Sequence, residues 1–98
     1  MRNGFPVHSL YVGSRDGKSF PDADRCAVTD AISTSFDCFT VVDADGYFKG
    51  RSVSTLAIKI ATDDEASVEE LGCCLGQILE QEAVGVETAG FYRTISTV

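Results

Sequence analysis

The sequence predicts one small α+β domain whose elements run strand, helix, strand, strand, helix, strand. Three observations carry that prediction. Apolar residues alternate at a spacing of two in Val53–Ile60, where Leu56, Ile58 and Ile60 point one way and Thr55, Ala57 and Lys59 the other. They recur at helical spacing over Val68, Leu71, Leu75, Ile78 and Leu79. Between these signals stand turn residues: Asp16-Gly17, Asp45-Gly46, Lys49-Gly50 and the polar run Thr62–Ala66.

Leu10-Tyr11-Val12, preceded by Pro6 and closed by Gly13, sets a first strand over 7–13. Pro21 and Asp22 open a helix: proline needs no N–H in the first turn, and acids favour the positive end of the dipole. Val28, Ala31, Ile32 and Phe36 give that helix, 22–35, its apolar stripe. The strand from Phe39 admits two registers. A hairpin turns at Asp45-Gly46, or the strand bulges there, runs through Tyr47-Phe48 and turns at Lys49–Ser52. The second gives Val53–Ile60 a full-length partner and is preferred. Ser67 with Glu70 reads as a capping box for a helix over 68–82. Gly72 and Gly76, one turn apart on that helix, point to a close backbone approach, to the sheet or to another subunit. Val84–Thr94 returns to strand character, with Gly85 and Gly90 as candidate bulges. Right-handed connections place the first and third strands side by side in the middle of the sheet. The expectation is therefore a ferredoxin-like β-α-β-β-α-β domain over 1–98, a four-stranded antiparallel sheet with two helices on one face. Its bare face calls for company, with Tyr47, Phe91 and Tyr92 as cover, so a homo-oligomer is expected.

Composition bounds the function classes. The chain has 98 residues, 44% hydrophobic and 23% charged, enough for one core without disulfides or metal. A net charge of −7 argues against binding duplex nucleic acid or an anionic membrane surface. No run approaches the roughly 20 apolar residues of a membrane span, and the start, Met1–Pro6, lacks the apolar stretch of a leader, so a cytoplasmic location is expected. The segment 63–82 holds seven acids and no Lys or Arg: a solvated helix face, or an anionic surface that docks on a basic protein by mimicking nucleic acid. Cys26, Cys38, Cys73 and Cys74 have no metal-ligand spacing, and His8 lies far from them. They read as reduced thiols filling small core positions, with no metal site and no cofactor.

The spacing supplies no nucleophile with its base and no phosphate loop, so a non-catalytic protein is expected. Tyr47, Lys49 and Arg51, spaced by two, share a face if the strand persists. An aromatic ring and two cations there suit a small anionic or nucleotide-like ligand; they equally suit an edge strand charged against aggregation. Glu82 ends the predicted second helix, where the dipole disfavours an acid, and so asks for a partner such as Lys49, Arg51 or Arg93. With Thr40 and Gln81, these make the candidate ligand site: Thr40, Tyr47, Lys49, Arg51, Gln81 and Glu82.

Four short patterns span most of the chain: Tyr11-Val12-Gly13, Phe39-Thr40-Val41…Gly46-Tyr47-Phe48-Lys49-Gly50, Ser54-Thr55-Leu56-Ala57-Ile58-Lys59-Ile60 and Gln81-Glu82-Ala83-Val84. Together they resemble a group of small uncharacterised bacterial and phage proteins. The chain departs from that group at Lys59, where an acid is common, and in the Cys73-Cys74 pair. The resemblance implies the same fold and a binding role, with counter-defence against a host as a setting. The leading expectation is a small acidic ligand-binding protein; the alternative is an acidic inhibitor or adaptor for a basic partner.

Overall fold

The computed structural model describes residues 4–98; Met1–Asn3, part of the stretch read above for a leader, lie outside the described residues. Seven elements follow one another: β1 (Val7–Gly13), α1 (Asp22–Ser35), β2 (Phe39–Phe48), β3 (Arg51–Ala61), α2 (Glu65–Ile78), β4 (Ala83–Thr88) and β5 (Phe91–Ser96). The sheet is antiparallel, in the order β2-β3-β1-β4-β5. β1 and β3 are neighbours, as expected, with His8 opposite Ile60 and Val12 opposite Leu56. The strand count is a correction: five, not four. The segment read as one last strand is a hairpin that turns at Ala89 and Gly90, at φ 50° and 79°. Two successive left-handed residues match the twist of the flanking strands, and only the second is a glycine, which is why the turn reads weakly in sequence.

The β2–β3 hairpin resolves the register question. Pairing runs without interruption from Phe39 opposite Ile60 to Phe48 opposite Arg51, so no bulge forms at Asp45-Gly46. The chain turns at Lys49 and Gly50, again with both φ positive, at 51° and 78°. The last part of this hairpin extends beyond Gly13, the end of β1, and stands free of the sheet's centre.

Alternation sorts the strands into two faces. Leu10, Val12, Leu56, Ile58, Ile60, Val84 and Val86 turn towards the helices, where Val28 and Ile32 of α1 and Val68, Leu71 and Leu75 of α2 meet them in one core. Most of these side chains are fully buried, each worth about 1.5–3 kcal/mol relative to exposure. Gly72 and Gly76 let α2 settle onto the sheet. A Cβ on Gly72 would lie 2.9 Å from Ile95 Cδ1, and one on Gly76 2.9 Å from Thr97 Cβ and 3.1 Å from Val84 Cγ2.

α2 begins three residues earlier than the capping-box pattern indicates and ends before Glu82. Asp64, not Ser67, is the cap. Its Oδ1 accepts from the Ser67 backbone N–H at 3.1 Å and its Oδ2 from the Ser67 hydroxyl at 2.6 Å, so that hydroxyl already has an acceptor. At the other end Glu80 takes φ 57°, and the Arg15 guanidinium donates to the Ile78 carbonyl while pairing with Asp24 and Glu80 at 3.2 Å. The cysteines are free, and none is buried: Cys73 is half-buried and the others exposed, against the expectation of core thiols. No helix of the described residues is long and apolar enough to cross a membrane.

Candidate functional site

The sheet's other face is polar and aromatic, and cross-strand register sets its rows. One row runs Thr40, Lys59, Ser9, Glu87, Tyr92; the next runs Val42, Ala57, Tyr11, Gly85, Thr94. In both rows small residues lie beneath large ones. Ser9 and Ala57 are buried although they face away from the helices.

A cleft of about 830 Å³ opens where the free end of the β2–β3 hairpin and the α2–β4 loop flank this face. Its floor is Tyr11, Gly13, Gly85, Tyr92 and Thr94, its hairpin wall Gly46–Phe48 with Val53 and Thr55, and its loop wall Glu80–Ala83. Gln81 fastens the loop to β1: its Nε2 donates to the carbonyls of Ser14 and Leu79, each at 3.2 Å.

Tyrosine dominates the lining. The chain has three tyrosines and no tryptophan, and Tyr11, Tyr47 and Tyr92 all border the cleft. Tyr11 and Tyr92 meet with ring centroids 6.0 Å apart and planes tilted by 58°, a tilted aromatic contact. Tyr92 lies across the bare backbone of Gly85, where a Cβ would come within 2.6 Å of the Tyr92 hydroxyl oxygen. The Tyr11 hydroxyl donates to Glu87 Oε1 at 2.7 Å. That carboxylate holds the phenol's proton and, with desolvation, raises the Tyr11 pKa above its usual value; a bond with Ser9 acts in the opposite sense.

Glu80, Glu82 and Glu87 line the cleft and no Lys or Arg does; Glu80 is paired with Arg15 from outside the lining, so Glu82 and Glu87 carry the negative charge that favours a cationic rather than an anionic group. Of the six residues expected to bind ligand, the fold brings Tyr47, Gln81 and Glu82 to the cleft. Thr40 sits on the edge strand opposite Lys59, in the row of Glu87 and Tyr92 but three strands from Glu87, and does not line the cleft. Lys49 occupies the hairpin tip, its ammonium 5.3 Å from the Phe48 ring centroid, and Arg51 pairs with Phe48 at the tip; neither lines the cleft. The partner sought for Glu82 is not Arg93, which reaches from β5 to α2 and pairs with Glu65 at 3.5 Å and with Glu69. This ion pairing neutralises part of the acidic helix face. Sequence reasoning missed Tyr11, Glu87 and Gly85. Strand alternation places Tyr11 opposite to Leu10 and Val12, but only the pairing of β1 with β4 puts Glu87 beside it.

A second recess, about 460 Å³, lies between the α1 start and the hairpin, among Lys18, Phe20, Arg25, Asp43 and Asp45. Arg25 is already paired with Asp43 there. His8 is buried with both ring nitrogens bonded: Nε2 to the Thr62 carbonyl at 3.1 Å and Nδ1 to the Thr88 hydroxyl. It joins the β3 end to the β4 end.

No protein-family model and no curated protein matches the chain. Among solved structures it is similar to a phage SAM lyase in its apo state, with a TM-score of 0.62 and 17% identity over 98% of this chain and 94% of that one. The likeness is one of fold. It nonetheless corrects the expectation of a non-catalytic protein: the solved fold that this chain shares, over nearly its whole length, is that of an enzyme.

Proposed function

We propose that this chain is a lyase acting on a sulfonium nucleoside of the S-adenosylmethionine kind, bound in the cleft between the β2–β3 hairpin and the α2–β4 loop. One observation carries the reading: an acidic cleft bordered by all three tyrosines of the chain, in a fold shared with a SAM lyase. A sulfonium is a cation with apolar substituents, and aromatic faces attract such cations by about 0.5–2 kcal/mol while excluding water. Lacking a Cβ, Gly85 lets the Tyr92 ring settle onto the floor, so a flat base would meet an aromatic face there. Lyase chemistry on a sulfonium breaks a carbon–sulfur bond. Sulfur keeps the electron pair and leaves as a neutral thioether, while the carbon fragment closes its valence internally, by losing a proton to form a double bond or by bonding its own carboxylate oxygen. Positive charge on sulfur vanishes along this path, so a site that sheds water around that charge speeds the step.

The protein works as a homo-oligomer in this reading. Tyr47 and Phe48 are exposed at 75% and 68%, next to the cations Lys49 and Arg51, which have no carboxylate partner among the described residues. That apolar, cationic tip suits the acidic surface of another copy. Incubation with S-adenosylmethionine and chromatography of the products tests the activity. Appearance of a thioether nucleoside, reduced at least tenfold by Tyr92→Ala, is expected; no turnover and no binding at millimolar substrate refutes the reading. Sedimentation giving a single species near 10.5 kDa refutes the oligomer.

A further inference from the structure

The row that crosses the open face just beside the cleft holds two opposite charges around a buried hydroxyl. Lys59 on β3 and Glu87 on β4 flank Ser9 on β1, two strand spacings apart, about 10 Å between backbones. The Lys59 ammonium donates to Ser9 Oγ at 3.2 Å, and Ser9 is only 4% exposed. Glu87 accepts from Tyr11 with one oxygen, and its second oxygen has further capacity as an acceptor. Lys59 has no carboxylate partner among the described residues, and Thr40, opposite it on β2, adds a hydroxyl. Glu87 belongs to the cleft lining; Lys59 lies one step beyond it.

A cation and an anion held on one side of a sheet match a zwitterion. We infer that this row reads the α-amino-acid head of the substrate, Lys59 taking its carboxylate and Glu87 its ammonium. The inference rests on the proposed sulfonium substrate and adds its polarity. The nucleoside lies towards Tyr47 and Gln81, the sulfonium at Tyr11 and Tyr92, and the amino-acid end towards Lys59. The bond to Ser9 steadies the exposed Lys59 ammonium over the sheet, and a carboxylate meeting it there gains a charge-assisted hydrogen bond.

Two ligands separate the possibilities: S-adenosylmethionine and its decarboxylated analogue, which keeps the sulfonium and nucleoside but lacks the carboxylate. Because every tyrosine borders the cleft and tryptophan is absent, intrinsic fluorescence reports binding directly. Lys59→Met is expected to weaken S-adenosylmethionine at least tenfold and to leave the decarboxylated analogue within twofold of wild type, while Lys59→Arg retains most of the affinity. Equal affinity of wild type and Lys59→Met for S-adenosylmethionine overturns the inference and leaves the sulfonium reading standing. Failure of wild type to bind either ligand overturns both. Equal weakening of both ligands by Lys59→Met, at unchanged melting temperature, also overturns it, since the carboxylate would then not be what Lys59 reads.

Discussion

Replacing Gly76 by alanine sets helix propensity against packing. Propensity alone favours alanine by about 1 kcal/mol in a helix interior. The new Cβ, however, would lie 2.9 Å from Thr97 Cβ and 3.1 Å from Val84 Cγ2, and closer still to the Thr97 methyl. Thr97 cannot yield freely. It is 4% exposed, its backbone N–H donates to Glu82 at 2.9 Å, its hydroxyl donates to Gln81, and its carbonyl accepts from Gln77 Nε2 at 3.3 Å. Relieving the overlap therefore means either overpacking, at about 1–3 kcal/mol, or giving up bonds worth about 1 kcal/mol each. Either exceeds the propensity gain, and the net expectation is a loss of about 1–2 kcal/mol, a fall of roughly 5–15 °C in a domain of this size. Urea denaturation with an unchanged slope measures it. Adding Thr97→Ser, which deletes the methyl, should recover part of the loss. Because Gln81 and Glu82 line the cleft, Gly76→Ala should also weaken ligand binding. A Gly76→Ala protein as stable as wild type, or more so, refutes the claim that the glycine permits close packing.

Gly85→Ala should lift the Tyr92 ring into the cleft, given the 2.6 Å approach to its hydroxyl, and lower affinity for S-adenosylmethionine by tenfold or more. The double variant Gly85→Ala/Tyr92→Ala should bind no worse than Tyr92→Ala alone, a non-additivity that titration by calorimetry reads directly. Asp64→Ala should lower the melting temperature at neutral pH by removing the α2 cap. The Ser67 hydroxyl and amide hold the Asp64 pKa below its usual 3.8, so the carboxylate's stabilisation is present above that value and lost as pH falls through the lower folded value. The gap between wild type and Asp64→Ala should accordingly shrink below about pH 4; a gap independent of pH contradicts the assignment. His8→Leu should cost about 1 kcal/mol by leaving the half-buried Thr62 carbonyl and Thr88 hydroxyl without their partner, measured by chemical denaturation.

The sequence by itself determined the elements whose signals are local. Alternation in β3 fixes which residues face the core, helical spacing locates α1 and α2, and Lys49-Gly50 marks a tight turn. Errors arose where one residue had two local uses. Ser67 reads as a cap until Asp64 is seen to accept from it, and Gly90 reads as a bulge until Ala89 joins it in the left-handed region. Tyr47, Gln81 and Glu82 reach the cleft because a protruding hairpin and a loop keep their character in any packing. Tertiary structure alone decided the rest. Tyr11, Lys59 and the hairpin pair Glu87–Tyr92 lie far apart along the chain, and they share one surface only because β1 pairs with both β3 and β4 and β4 pairs with β5 in a particular register. A shift by one residue would send each of them to the other face. Charge patterning pointed to the cations Lys49 and Arg51 for a ligand; the fold instead sends them to the hairpin tip and places Glu82 and Glu87 beside the tyrosines, so the cleft lining is negative.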